Sequence, residues 1–167
     1  MKRMATIAAA IAVAGGSIGA VAVAANGRDE APPTGTLTVD AQFPTPESGQ
    51  LSANLADPKG SAETDPAKIA DLFAGNGKLF QAGKQVGTLH FDNVVTQADP
   101  PRTILTVALM LPHGSILTEG PTDLGSDAPS DGAVIGGTGA YGGARGTLHV
   151  VHLAGTDLNR AVLTFVR

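Results

Sequence analysis

Apolar and polar residues alternate along much of the chain. In the stretch 36–43 the apolar residues take every second position: Leu37, Val39, Ala41 and Phe43. Successive side chains of a β-strand point to opposite faces, so this alternation predicts a strand with one apolar face and one polar face. Turn residues and similar patterns predict seven further strands, at 78–81, 84–96, 102–111, 115–119, 132–136, 145–153 and 160–166. The pattern therefore predicts an all-β domain of eight strands.

One short helix is predicted before the second strand. The dipeptide Asp65-Pro66 is typical of a helix start, and three apolar residues follow at helical spacing: Ile69, Leu72 and Phe73. Gly75 would end this helix after about two turns. The stretch 44–66 shows no periodicity and is rich in proline, serine, glycine and acids, so we expect a long loop there.

The stretch 103–111 is apolar on both faces. One face carries Leu105, Val107, Leu109 and Leu111, and the other carries Ile104, Ala108 and Met110. A strand with two apolar faces is expected to be buried on both. In an antiparallel sheet this favours a closed barrel whose interior takes one face and whose exterior contacts a second protomer. We therefore predict an eight-stranded antiparallel β-barrel, with room inside for side chains or one small ligand.

The first residues have the pattern of a secretory signal. Lys2 and Arg3 precede an apolar run that ends in the small-x-small tripeptide Ala22-Val23-Ala24. An uncleaved membrane anchor is the alternative, because the run approaches the ~20 residues that span a bilayer. Its glycines make the run weakly hydrophobic, and the polar stretch 26–30 follows, which favours cleavage near Ala24. We expect a signal peptide at 1–24, a linker at 25–34 and the barrel at 35–167, in a secreted or cell-envelope protein.

Composition removes several functional classes. Eleven basic residues against fifteen acidic ones give a formal net charge of -4, which argues against binding to nucleic acid. The absence of cysteine excludes disulfides, thiolate nucleophiles and cysteine-ligated metals. His149 and His152 lie three apart on a predicted strand, hence on opposite faces, and so cannot chelate one metal together. We expect no metal, no cofactor and no nucleic-acid partner, with membrane contact only through an uncleaved signal segment.

The segment 131–146 is unusually rich in glycine. Within it, 137–142 matches the G-x-G-x-x-G pattern of dinucleotide-binding proteins, with Asp157 about 20 residues further on. A nucleotide site also needs a helix directly after the glycines, to present its N-terminus to the pyrophosphate. Here more glycines follow, and then the strand-forming stretch 147–151. We therefore predict a glycine turn between two barrel strands.

The same segment, Asp131 to Gly146, closely resembles the hallmark of the allene oxide cyclase and dirigent superfamily, in which G-G-T-G, an aromatic residue and A-R-G recur. The stretch 83–87 is similar to the G-K-x-V-G strand of bacterial members, and 105–120 is similar to their hairpin around L-P-D-G-x-I. The landmarks span about 75–167. The resemblance implies an antiparallel eight-stranded barrel with a largely apolar cavity, often a trimer in plant members. Members of that superfamily cyclise a reactive polyunsaturated epoxide or steer the coupling of phenoxy radicals.

The resemblance also implies polar residues that act on the ligand. In the plant cyclases a carboxylate on the first strand, an early asparagine and a bound water polarise the epoxide. The nearest counterparts here are Asp40 and Asn76, although Val39-Asp40-Ala41 replaces the plant Glu-x-Asn pair. Asp40 lies on the polar face of its strand, and the alternation leaves open whether that face is the lumen or the solvent side.

Four further residues are candidates on chemical grounds. His90 and Asp92 share one strand face, so a lumenal His90 beside Asp92 could act as a general acid or base, with an exposed polar face as the alternative. Tyr141 and Arg145 could donate hydrogen bonds to a ligand carboxylate or phenolate, or could serve the turn structurally. The predicted catalytic set is thus Asp40, His90 and Asn76, and the predicted substrate-binding set is Tyr141, Arg145 and Asp92.

These expectations combine into one functional hypothesis and two alternatives. We expect an exported allene oxide cyclase-like barrel that binds a small hydrophobic molecule as an isomerase or intramolecular cyclase, with a homotrimer or homodimer as the expected assembly. The first alternative is a non-catalytic dirigent-type or hydrophobe-binding protein. The second is a structural envelope protein whose lumen is filled by its own side chains.

Overall fold

A computed structural model describes residues 33–43, 53–54, 68–124 and 126–166 of the chain. The predicted signal peptide, 1–24, and the linker up to residue 32 lie outside the described residues. Within the described ranges, none of the helical structure is long and apolar enough to cross a membrane.

The described chain is almost entirely β-structure. Its strands are β1 (Gly35–Gln42), β2 (Ala53–Asn54), β3 (Leu72–Gln81), β4 (Lys84–Ala98), β5 (Pro101–Leu111), β6 (Gly114–Asp123), β7 (Ser130–Gly137), β8 (Gly146–His152) and β9 (Leu158–Phe165). A 3₁₀ turn, Gly139–Tyr141, lies between β7 and β8. From β3 to β9 each strand pairs antiparallel with the next one along the chain.

Strand β1 closes the sheet into a barrel because it pairs on both sides. It runs antiparallel to β9 from Gly35 opposite Phe165 to Gln42 opposite Leu158. It also pairs with β3 over three residues, beginning with Asp40 opposite Phe80. The two-residue strand β2 pairs with the part of β3 that β1 does not reach. The predicted eight-stranded antiparallel barrel is therefore confirmed, with β2 as a short addition outside the closed ring.

The predicted helix around Ile69 and Phe73 is wrong. Lys68 to Asp71 form a turn, in which the Lys68 backbone N–H donates to the Asp71 carboxylate at 2.8 Å, and β3 begins at Leu72. Strand β3 pairs with β4 from Leu72 opposite Val94 to Gln81 opposite Lys84. These non-local hydrogen bonds override the helical spacing of three apolar residues. The dipeptide Asp65-Pro66 lies outside the described residues.

Side chains fill one half of the barrel. The strands alternate so that their apolar positions point inward, and the residues fully buried toward the end where β1 starts and β9 finishes include Leu79, Ile116 and Leu163. Tyr141 adds its ring at this end, with its centroid 6.5 Å from that of Phe165 in a stacked arrangement. This end of the barrel is a packed core, so we call it the filled end.

Candidate functional site

The other half of the barrel contains a cavity of about 610 Å³. It opens where β1, β4, β6 and β8 finish, which is the end opposite the filled end. Most of its wall is apolar and comes from alternate positions of five strands: Ala41, Leu89, Phe91, Leu105, Val107, Leu109, Leu148, Val150 and Ala161. Cavities of roughly 300–1,000 Å³ with apolar walls and a few polar groups are typical small-molecule sites.

Small residues explain why the cavity lies in this half. Ala41 and Ala161 face inward on the neighbouring strands β1 and β9, and Gly120 and Gly132 lie in the wall on β6 and β7. The corresponding inward positions nearer the filled end hold larger side chains, such as Leu163 on β9. Since packed interiors leave few voids larger than a water molecule, the cavity follows directly from this distribution of side-chain size.

Asn93 is a buried polar residue in the mostly apolar wall of the cavity. It lines the cavity from β4, is only 8% exposed, and its Oδ1 atom has no hydrogen-bond partner among the described residues. Thr118, the buried polar residue on β6, is satisfied because its hydroxyl donates to the Val107 carbonyl at 3.3 Å. A buried polar atom without a partner costs free energy, so Asn93 is kept in this apolar wall at a cost to stability.

The mouth of the cavity is polar and aromatic. Phe43 and Phe91 meet there edge to face, with ring centroids 5.4 Å apart. His152 and Asn159 are partners in the pairing of β8 with β9, and both line the cavity at its open end. Asp157 follows in the turn before β9, where its carboxylate accepts a hydrogen bond from the side-chain amide of Gln42.

Comparisons with known proteins bear on this architecture. No protein-family model matches the chain, and no curated protein matches it. Among solved structures, a pyocyanin demethylase is 25% identical with a TM-score of 0.60, and the match covers 78% of this chain and 99% of that one. A pterocarpan synthase dirigent protein is 15% identical with a TM-score of 0.61, covering 79% and 84%. A nonspecific heme-binding cyclase that catalyses a cycloaddition in neoabyssomicin biosynthesis is 15% identical with a TM-score of 0.56, covering 78% and 64%.

The chain has the allene oxide cyclase and dirigent barrel fold. The resemblance carried by the glycine-rich segment is thereby confirmed at the level of the fold.

In this dirigent-type barrel, Asp40 lies on the outer face. Its carboxylate binds Arg160 of β9 through two hydrogen bonds, from Nε at 2.8 Å and from Nη2 at 3.1 Å. The hydrogen bonds and the charge of Asp40 raise the pKa of Arg160 above its usual value. Of the two alternatives that the alternation left open for Asp40, the structure has the solvent side.

His90, Asp92 and Asn76 also lie on the outer face of the dirigent-type barrel. All three are exposed, and Asn76 on β3 is paired in register with His90 on β4. The structure therefore brings Asn76 and His90 together, but outside the barrel, and none of the three lines the cavity. Of the two alternatives stated for His90, the structure has the exposed polar face, because the inward positions of β4 are the odd-numbered ones.

Tyr141 and Arg145 lie at the filled end of the barrel. Tyr141 is 5% exposed, and burial raises the pKa of its phenol above 10.0. Arg145 is exposed, and its Nη1 atom donates to the carbonyl of Ala144 at 2.7 Å. Neither residue lines the cavity, so of the two interpretations of this pair the structure has the structural one.

Asn93 and His152 were missed as site residues in the sequence. Asn93 shares a strand face with Leu89 and Phe91, and His152 shares one with Leu148 and Val150. A lone polar residue on an otherwise apolar strand face is the signal that identifies both. Within the described part of the chain, no group of three or more His, Asp or Glu side chains is placed to hold a metal ion.

Proposed function

We propose that this allene oxide cyclase-like barrel binds one small hydrophobic molecule in its cavity and controls an intramolecular ring closure or isomerisation. The observation that carries the proposal is the cavity of about 610 Å³ with a mostly apolar wall, which Asn93 lines from β4. The cyclase and demethylase among the structural neighbours support a barrel that acts on its ligand.

The chemistry proposed for the cavity is mainly conformational control. An apolar wall excludes water and restricts a flexible molecule to the few shapes that fit, which lowers the entropic part of a cyclisation barrier. Asn93 would fix one polar group of the ligand. His152 lies at the mouth of the cavity, and an imidazole can both donate and accept a proton, so we propose His152 as the acid or base of the reaction.

A non-catalytic, dirigent-type binding protein is the second candidate. It is favoured by the lining that β1, β4 and β5 contribute to the described cavity, because none of those lining side chains is titratable. A dirigent-type protein holds its ligand while another agent generates the reactive species, so it needs no group that moves protons. A purely structural envelope protein is less well supported, because side chains fill only one half of the barrel.

The binding step is tested by filling the cavity. Ala161→Trp places an indole in the lumen, and Thr164→Trp is the matched control because Thr164 is exposed on the outer face of the same strand. The uncharged dye Nile red should gain fluorescence with the wild type and with Thr164→Trp but not with Ala161→Trp. If Ala161→Trp does not fold by circular dichroism, Ala41→Phe replaces it. Equal dye binding by both variants, or none by the wild type, would refute the proposal.

The catalytic step is tested on the molecule that co-purifies. Native mass spectrometry of the purified protein gives the mass of the co-purifying molecule. That molecule is extracted and supplied to the protein again, and chromatography compares it before and after incubation. An isomerase returns a species of unchanged mass and altered retention, whereas a binding protein returns the supplied molecule. His152→Ala should then slow the conversion without displacing the ligand if His152 transfers the proton.

Export and oligomer formation remain proposals that rest on separate observations. Export is supported by the N-terminal sequence pattern alone, and a mature N-terminus near Ala25 in the extracytoplasmic fraction would test it. A homotrimer or homodimer is supported by large apolar side chains that are exposed on the outer face of β4 to β7: Val94, Ile104, Met110, Leu117 and Ile135. Such a surface is more typical of an interface than of a solvated face.

A further inference from the structure

The wall of the barrel is interrupted between β6 and β7. In the described structure the pairing of these two strands ends at Glu119 opposite Ala133, although both strands continue toward the mouth. On their other sides they stay paired over this stretch, β6 with β5 and β7 with β8. We call the unpaired stretch, in which 120–123 of β6 faces 130–132 of β7, the seam.

Pro121 explains where the pairing of β6 with β7 stops. The Ser115 carbonyl accepts a hydrogen bond from the Thr138 N–H at 2.8 Å, so the odd-numbered residues of β6 direct their backbone groups toward β7. The next such residue after Glu119 is Pro121, which has no N–H to donate to the carbonyl of Asp131. Proline removes a ladder hydrogen bond wherever it stands in a strand. One residue therefore accounts for the seam.

The cavity extends into the seam. On β4, β5 and β8 the cavity is lined by alternate positions only, as expected for side chains that face inward. At the seam it is lined by consecutive residues, and these include exposed residues at outward positions: Pro121, Asp123 and Asp131. The hollow therefore reaches between the two strands, and the seam is a slit that continues the mouth down the wall of the barrel.

Two glycines close the inner end of the slit. A Cβ atom at Gly132 would lie 2.7 Å from the carbonyl oxygen of Glu119, and a Cβ atom at Gly120 would lie 2.8 Å from the Cα atom of Gly132. The two backbones touch at this point because neither residue has a side chain. On the mouth side of this contact, β6 and β7 can move apart without breaking any of the pairing described between them.

From these observations we propose that the seam is the gate of the cavity. β6 and β7 separate on the mouth side of Gly120 and Gly132, and the ligand enters and leaves between them. The inference rests on the proposed function, since it says how the proposed site exchanges its ligand. A fully paired wall would have to break ladder hydrogen bonds at each exchange, whereas the described seam has no such pairing to break.

Two opposite changes test the gate. Pro121→Val supplies the missing N–H and lets the pairing extend to Asp131, so one more hydrogen bond must break before the gate opens. In stopped-flow fluorescence, Nile red should then bind and leave about fivefold more slowly than with the wild type, which is the usual effect of one hydrogen bond. Its dissociation constant should not change, because the gate opens for entry and for exit. Gly132→Ala pushes away the carbonyl of Glu119, which belongs to the last pair before the seam, and should speed binding by a similar factor.

Each variant has a matched control on β7. Ala133→Val adds the same side chain as Pro121→Val, at an exposed position where the pairing is already complete. Gly136→Ala adds the same methyl group as Gly132→Ala, but the nearest atom to its Cβ lies at 3.8 Å. Both controls should exchange Nile red at the wild-type rate.

The outcomes separate this inference from the proposed function. If Nile red binds in the cavity but the two test variants exchange it at the wild-type rate, the inference fails and the binding site stands. The same holds if Pro121→Val changes the dissociation constant without slowing both steps. Should a test variant not fold by circular dichroism, Pro121→Ala or Gly120→Ala makes the corresponding change. If the wild type binds no Nile red, the proposed function fails, and the gate fails with it.

Discussion

Replacing Gly137 by alanine should destabilise the filled end of the barrel, whereas the same change at the adjacent Gly136 should not. A Cβ atom at Gly137 would lie 2.3 Å from the carbonyl oxygen of Tyr141 and 2.8 Å from that of Ser115. A Cβ atom at Gly136 would meet only the Nη1 atom of Arg145, at 3.8 Å, which is ordinary contact. Neither glycine has a positive φ, so the two changes differ in the space available and not in backbone strain.

The size of the effect follows from what blocks the new methyl group. At Gly137 the obstructing oxygens belong to the backbone of the 3₁₀ turn and of β6, and they would have to retreat by roughly 1 Å to restore normal contact. Overpacking of this kind costs about 3 kcal/mol of unfolding free energy. Gly136→Ala should instead raise the unfolding free energy by up to about 1 kcal/mol, because alanine restricts the unfolded chain.

Urea unfolding measures both changes. The chain has one tyrosine and no tryptophan, so its intrinsic fluorescence reports Tyr141 alone, next to the altered glycine. Far-ultraviolet circular dichroism follows the whole barrel in the same samples, and equal slopes with urea show that only stability has changed. Unfolding free energies for Gly137→Ala and Gly136→Ala that agree within about 0.5 kcal/mol would refute the packing argument.

Three further predictions follow from other parts of the molecule. Burial raises the pKa of Tyr141 above 10.0, so its contribution to the unfolding free energy should be fully present below pH 10.0 and should be lost as the pH rises through the folded-state pKa. Thermal melts across this pH range should show that loss in the wild type and not in Tyr141→Phe. Asp40→Ala should lower the unfolding free energy by no more than about 1 kcal/mol and leave Nile red binding unchanged, because the pair with Arg160 is exposed; loss of dye binding would show that Asp40 serves the site. If the exposed apolar side chains of β5 and β6 form the proposed oligomer interface, Leu117→Lys and Met110→Lys should give a monomer in light scattering where the wild type gives an oligomer; a wild-type monomer, or an unchanged oligomer in the variants, would contradict the proposal.

Local sequence predicted the strands and most turns well, because both depend on neighbouring residues. The alternation of Leu37, Val39 and Ala41 has the two-residue period of a strand, and Ala82-Gly83 supplies the positive φ angles of the β3–β4 turn. The start of β3 was mistaken for a helix because three apolar residues in a short run fit either period. Its strand conformation depends on pairing with β4 and β2, which no local pattern contains.

The candidate site was harder to predict than the fold. Alternation shows that Asp40 lies opposite Val39 and Ala41, but which face is interior is decided by closure of β1 against both β3 and β9. Asp40 and His90 were candidates on their polar strand faces, and the structure has both of those faces outside the barrel. Asn93 stands out because its buried Oδ1 atom has no hydrogen-bond partner in the described part of the chain, and local sequence does not show which groups surround a side chain.

In the described structure, packed side chains close the barrel at its filled end, and the cavity opens at the opposite end. A ligand must therefore enter and leave at the same end, and a product must leave before the next ligand binds. A molecule longer than the hollow protrudes past Phe43 and His152 into water. The cavity therefore encloses only one end of a long ligand, and the rest of that ligand stays in solvent.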